Sequence, residues 1–199
     1  MGPRSQETIL AVESVDDWRS WLAEQHARSK GVLLRIPKGH VEGRITYAQA
    51  LDVALAWGWI DSQKRALDAS SWLQRFTPRS ANSPWSKINR EKAEALQAAG
   101  RMERPGLAEV ERAKRDGRWT RAYVGSRAAT VPEDFTAALA RSVKARSFFD
   151  SLDRANRYAI LYRVQAAKTP ETRAKRIARF VSMCAKGETI HPRRQPIRK

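Results

Sequence analysis

Trp59-Ile60-Asp61-Ser62-Gln63-Lys64-Arg65, then the turn-prone Asp68-Ala69-Ser70-Ser71, then Trp72-Leu73-Gln74-Arg75-Phe76 is the stretch that decides the fold. Two runs rich in aromatic and branched residues, joined by a short polar cluster, form the pattern of a β-hairpin. Side chains alternate along a strand, so Trp59, Asp61 and Gln63 share one face of the first run and Ile60, Ser62 and Lys64 the other. In the second run Trp72, Gln74 and Phe76 alternate with Leu73, Arg75 and Thr77. One face therefore mixes aromatic and polar groups.

Toward the N-terminus, residues 8–12 and 31–36 read as two further short strands, with a helix between them. Ser14 can cap that helix, and Trp18, Trp21, Leu22 and Gln25 follow at helical spacing. Pro37-Lys38-Gly39-His40 breaks the second strand. Thr46, with Gln49 three residues later, forms a capping box for a helix striped by Tyr47, Ala50, Leu51, Ala54 and Leu55 and ended by Gly58. The order β-α-β-α-β-β predicts a small α+β layer with helices against one face of a mixed sheet.

Toward the C-terminus every signal is helical. Pro84 and Ser86 open one helix, which Gly100 ends, and Pro105 starts another that stops near Asp116-Gly117. Pro132 opens a third and Ser142 caps a fourth. Asp153 caps a fifth, with Tyr158, Leu161, Tyr162 and Gln165 on one face. Thr169-Pro170-Glu171 starts a sixth, striped by Ala174, Ile177, Val181 and Cys184. The expected class is α+β: a small mixed sheet of about four strands with packed helices, followed by a C-terminal helical bundle. Residues 1–83 form the sheet-containing part, 84–191 the helical part, packed with the first into one compact body, and 192–199 a basic flexible tail.

The chain has 199 residues and a formal charge of +17, from 38 Lys and Arg against 21 Asp and Glu. Residues 154–199 carry a net +11, which puts the positive pole at the C-terminus. Such a balance suits nucleic acid, anionic lipid or an acidic protein, although 27 arginines also describe a composition in which charge solvates helix faces. One cysteine, Cys184, excludes an intramolecular disulfide, and its place on an apolar stripe makes it a core residue. No run approaches a membrane span and no secretory leader is recognisable, so the expected compartment is the cytoplasm.

His26, His40 and His191 are too far apart in sequence to form a local zinc cluster with that cysteine, and no metal or cofactor is expected. P-loop, GxGxxG, GxSxG and HExxH patterns are missing, which argues against those enzyme classes. The candidate ligand cleft is Trp59, Asp61, Lys64, Trp72, Arg75, Phe76, Trp85 and Lys87, where aromatic and polar groups interleave. The same residues also fit an ordinary packed sheet in which Asp61 pairs with Lys64 or Arg75. Arg173, Lys175, Arg176 and Arg179 are the candidate anion or nucleic-acid surface, since Arg173/Arg176 and Lys175/Arg179 have same-face spacing. A solvated helix face is the plainer reading of those four.

The segments 51–64, 72–79 and 85–89, together with 156–162 and 168–177, resemble the YdeI/OmpD-associated, or bacteriocin-protection, proteins of bacteria. The resemblance implies a role in tolerating bacteriocins or antimicrobial peptides, and the family name implies association with an outer-membrane porin. It brings no catalytic residues. The family's longer Gly/Lys/Ser loop is replaced here by Pro37-Lys38-Gly39-His40. The leading expectation is a cytoplasmic, non-catalytic binding protein with a small-ligand or protein partner, protecting indirectly. The alternatives are a nucleic-acid-binding protein acting through the basic C-terminal helices, and an enzyme with Asp61 as acid/base in the Trp57–Asn89 region.

Overall fold

The computed structural model describes residues 8–126 and 128–192. The expected basic tail lies outside the described residues, apart from Pro192. The described residues fall into two compact units, the first ending at Ala122 and the second beginning at Tyr123.

The first unit follows the expected order: β1 (Ile9–Leu10), α1 (Val15–Gln25), β2 (Val32–Pro37), α2 (Tyr47–Ala56), β3 (Trp59–Ala66) and β4 (Ser71–Pro78). The sheet order is β1-β2-β4-β3. β1 pairs parallel to β2, and β4 runs antiparallel to both β2 and β3. Both helix starts are set locally. Ser14 and Asp17 cap α1 reciprocally, and Thr46 and Gln49 do the same for α2, so each helix satisfies two of its otherwise orphaned N–H groups.

One face of the sheet carries the core. Val32, Leu34 and Ile36 of β2, Phe76 of β4 and Trp59 of β3 pack with Trp18 and Leu22 of α1 and with Ala50, Ala54 and Leu55 of α2, all in one buried cluster. Trp18 is fully buried; its ring lies 5.5 Å from Phe76, and its Nε1 donates to the Ala50 carbonyl at 3.1 Å.

α3 (Lys87–Ala98) and α4 (Arg104–Arg115) belong to the first unit, where Ala93, Leu96, Val110 and Ala113 join the sheet's core. Proximity explains why. Gly106 sits so close to α2 that a Cβ there would lie 2.1 Å from the Ala56 carbonyl oxygen, and Gly58, at φ +74, would bring a Cβ to 3.0 Å from the Pro105 carbonyl. The two glycines let α4 begin against the end of α2.

The second unit holds α5 (Glu133–Ala140), α6 (Val143–Asp150), α7 (Arg154–Gln165) and α8 (Pro170–Ala185) around Phe135, Leu139, Phe149, Ile160, Val164, Phe180 and Cys184. Ser142, Asp153 and Thr169 cap α6, α7 and α8 as expected. The stripes read in the sequence are kept in part: Leu161 and Cys184 are buried and Ile177 and Val181 pack half-buried against the same core, while other positions differ. In α7 Ala159, Ile160, Leu161 and Val164 are buried while Tyr158, Tyr162 and Gln165 are only half-buried. In α8 Phe180 and Cys184 are buried while Ala174 is exposed. Tyrosine keeps a polar tip at the edge of a core, which the apolar positions then occupy. The Tyr158 hydroxyl duly donates to the Val124 carbonyl at 3.0 Å.

Gly106→Ala forces a methyl group into the Ala56 carbonyl. We expect a loss of about 1–3 kcal/mol in urea unfolding, the range for overpacking a tight contact; an unchanged midpoint would show that the contact can relax.

Candidate functional site

The hairpin face is built differently from simple alternation. Asp61 pairs with Phe76 and Lys64 with Gln74, so three residues of β3 span two of β4. This β-bulge reverses the side-chain parity and brings Lys64 onto the face of Asp61, contrary to the strict alternation read in the sequence. The buried Gln74 amide donates to the Gln63 carbonyl at 3.4 Å within the bulge. A carbonyl displaced from the ladder thereby keeps a partner.

Four side chains meet beyond the core edge of this face. The Tyr47 hydroxyl, at the first position of α2, donates to Asp61 Oδ2 at 2.7 Å. The Tyr47 ring lies 5.7 Å from that of Trp72, and the Lys64 ammonium stands 3.9 Å from the Trp72 centroid. Burial, reinforced by the hydrogen bond and charge of Asp61, raises the Tyr47 phenol above its ordinary value, so it stays protonated and keeps donating. Asp61 Oδ1 has no hydrogen-bond partner among the described residues. The result is an aromatic wall beside a half-buried carboxylate, with a cation held over one ring.

Of the eight candidate cleft residues, only Asp61, Lys64 and Trp72 come together here. Trp59, Phe76 and Trp85 are core residues, 1%, 0% and 1% exposed. Trp85 packs on Trp119 at 4.8 Å and lies under the Arg79 guanidinium at 3.6 Å. Arg75 pairs with Leu33, which puts it on the opposite face of the sheet, and Lys87 is exposed at the start of α3. Tyr47 is the member that sequence reasoning missed. It reads as one more apolar position of α2, and the only available signal was the polar tip of a tyrosine in the first turn, which needs a partner when buried.

The basic face of α8 is partly consumed by structure. Arg173 holds Asp134 in a bidentate pair, Nε at 2.5 Å and Nη2 at 2.8 Å, while its Nη1 donates to the Val164 carbonyl at 3.2 Å. These hydrogen bonds lower the Asp134 pKa and raise that of Arg173. Arg176 donates to the Arg163 carbonyl. Lys175 and Arg179 are exposed.

Cys184 is fully buried, and burial pushes its thiol up to about 11. Among the described residues there is no group of three or more His, Cys, Asp or Glu able to hold a metal ion, and no helix is long and apolar enough to cross a membrane.

Fold and site thus define a protein of two units, an α+β sheet unit that carries an aromatic and polar surface cluster, and a four-helix unit. Residues 10–109 match the family model of a domain of unknown function, DUF8412, over half of the chain, and the chain belongs to that family. Residues 128–187, within the second unit, match the model described as Bacteriocin-protection, YdeI or OmpD-Associated. The segments that carried the sequence resemblance therefore divide: 51–64, 72–79 and 85–89 lie in the first match, 156–162 and 168–177 in the second. No curated protein and no solved structure matches the chain.

Tyr47→Phe removes the hydroxyl from Asp61 and should cost about 1–2 kcal/mol at neutral pH, as expected for a half-buried hydrogen bond to a charged acceptor. The wild-type contribution of Tyr47 is complete below pH 10.0, its ordinary phenol value, and falls above it, where the unfolded chain ionises first. Denaturant unfolding from pH 7 to 11 should show that fall in wild type and less of it in Tyr47→Phe. For Cys184, a chromogenic aromatic disulfide at pH 8 should label no thiol in the native protein and one in guanidinium; rapid native labelling would contradict the burial.

Proposed function

We propose that the protein is a non-catalytic binding protein of the cytoplasm that contributes to tolerance of bacteriocins or antimicrobial peptides. The match of the second unit to the bacteriocin-protection family supports the biological role. The cluster of Tyr47, Asp61, Lys64 and Trp72 carries the binding half of the reading. It offers flat aromatic surface next to a carboxylate oxygen that has no partner among the described residues, which suits a small planar ligand bearing a hydrogen-bond donor.

Asp61 is poorly placed as an acid or base, because one oxygen is committed to a phenol that holds its proton. A formal charge of +17 repels a cationic peptide at the encounter stage, so protection runs through another ligand and not through capture of the peptide. The nucleic-acid alternative draws less support, since Arg173 and Arg176 serve as donors within the second unit.

The test is complementation of a strain lacking the protein, read as the minimal inhibitory concentration of a bacteriocin and of a cationic peptide. Wild type should restore tolerance, the folded double variant Asp61→Ala/Trp72→Ala should restore less, and peptide incubated with purified protein should be recovered intact. Chemical conversion of the peptide, or full rescue by the double variant, overturns the proposal.

A further inference from the structure

At the other end of α2 a cleft of about 210 Å³ opens between α1, the end of α2, and the loop from α3 to α4. Its apolar lining comes from Val53 and Ala56 of α2 and Leu96 of α3, and the half-buried Trp57 indole forms a wall. Four charged residues line it. Two are already neutralised: Asp52 by Lys92 at 2.6 Å, and Arg19 by Asp16. The other two, Arg101 and Glu103, have no side-chain hydrogen bond or ion pair among the described residues. Glu103 is the N-cap residue of α4, yet its side chain makes no capping bond.

The backbone holds both in place. The Arg101 N–H donates to the Leu96 carbonyl at 2.8 Å and the Gly100 N–H to that of Gln97 at 3.1 Å, the paired bonds of a Schellman motif that closes α3. Two residues on, the Glu103 N–H donates to the Ala56 carbonyl at 3.0 Å, tying the loop to the end of α2. The cation and the carboxylate of the cleft that are unpaired among the described residues are therefore carried on a loop pinned at both ends, beside an apolar lining and an indole.

We propose that this cleft binds a small zwitterion, a free α-amino acid with an apolar or aromatic side chain. Its carboxylate pairs with Arg101, its ammonium with Glu103, and its side chain lies on Val53, Ala56 and Leu96 against Trp57. The volume agrees, being below the roughly 300–1,000 Å³ of clefts that hold drug-sized ligands. Opposite charges on the ligand also suit a strongly cationic protein, because a zwitterion has no net charge to be repelled. This site is separate from the Asp61 cluster and does not depend on the function proposed above.

The test is isothermal titration of the full chain with L-leucine and L-phenylalanine, and with 3-phenylpropionate and phenethylamine, which keep only the acid or only the amine. We expect at least one amino acid to bind with a Kd below about 1 mM, and the single-charge analogues to bind at least about tenfold more weakly. Arg101→Ala and Glu103→Gln, checked for native near-ultraviolet dichroism, should each weaken binding by about tenfold or more, while Lys175→Ala leaves it unchanged. No heat from either amino acid at about 10 mM, equal binding of an analogue, or unchanged affinity in both cleft variants overturns the proposal. None of these readouts involves tolerance, so this site and the Asp61 reading fail independently.

Discussion

A single buried indole fixes the geometry of the first unit. Trp18 of α1 lies against Phe76 of the sheet at 5.5 Å and meets the edge of Trp59 at 6.5 Å, while its N–H reaches the Ala50 carbonyl of α2. An indole N–H that is wholly removed from water needs an acceptor, since leaving it unpaired costs about 1–3 kcal/mol. Here the bond ties α1 to α2 over the sheet. With α2 fixed, its first residue, Tyr47, arrives over Asp61 and Trp72, and its last turn presents Val53, Ala56 and Trp57 to the loop before α4. Both candidate sites are thus opposite ends of one helix, held by a contact near its middle.

What could be read from sequence followed from how local each cause is. The caps at Ser14, Thr46, Ser142, Asp153 and Thr169 are decided within three residues, and the structure shows each of them. The hairpin was legible for the same reason, its turn being held by Asp68, which accepts from the N–H and hydroxyl groups of Ser70 and Ser71. The bulge was not legible, because it is stabilised across strands by Gln74 and nothing in residues 61–64 announces it. The Asp61 cluster suffered in turn: strict alternation separates Lys64 from Asp61, and Tyr47 comes from another element altogether. The attachment of α3 and α4 to the sheet was hidden in two glycines, Gly58 and Gly106, whose close contacts exist only in the folded chain.

The arginines show why a formal charge is a weak guide to a binding face. Arg173 joins α5 to α8 through Asp134 and reaches the end of α7 at Val164. Arg118 binds Asp116 and the Ser83 carbonyl, and Arg163 donates to Ala159 within its own helix. Guanidinium groups carry five donors in a planar fork, so they suit carboxylates and the unsatisfied carbonyls at helix ends. A residue used in this way keeps its positive charge but has fewer donors to offer a phosphate. The +17 of the chain therefore includes a substantial internal architecture, and same-face spacing in sequence cannot separate its members from free surface cations.

The direction of the shifted pKa values bears on catalysis as well. Groups that move protons near neutral pH are tuned toward it, carboxylates upward and thiols downward. Here Tyr47 and Cys184 are pushed up by burial, while Asp68 and Asp134 are drawn down by hydrogen bonds. Every one of these shifts moves the group away from neutrality and fixes it in its ordinary form. Such perturbations follow from building rigid contacts: the Tyr47 phenol keeps its proton, and the Asp68 and Asp134 carboxylates keep their charge, across the physiological range. Asp68 and Asp134 are accordingly architectural groups, the first holding the hairpin turn and the second joining α5 to α8.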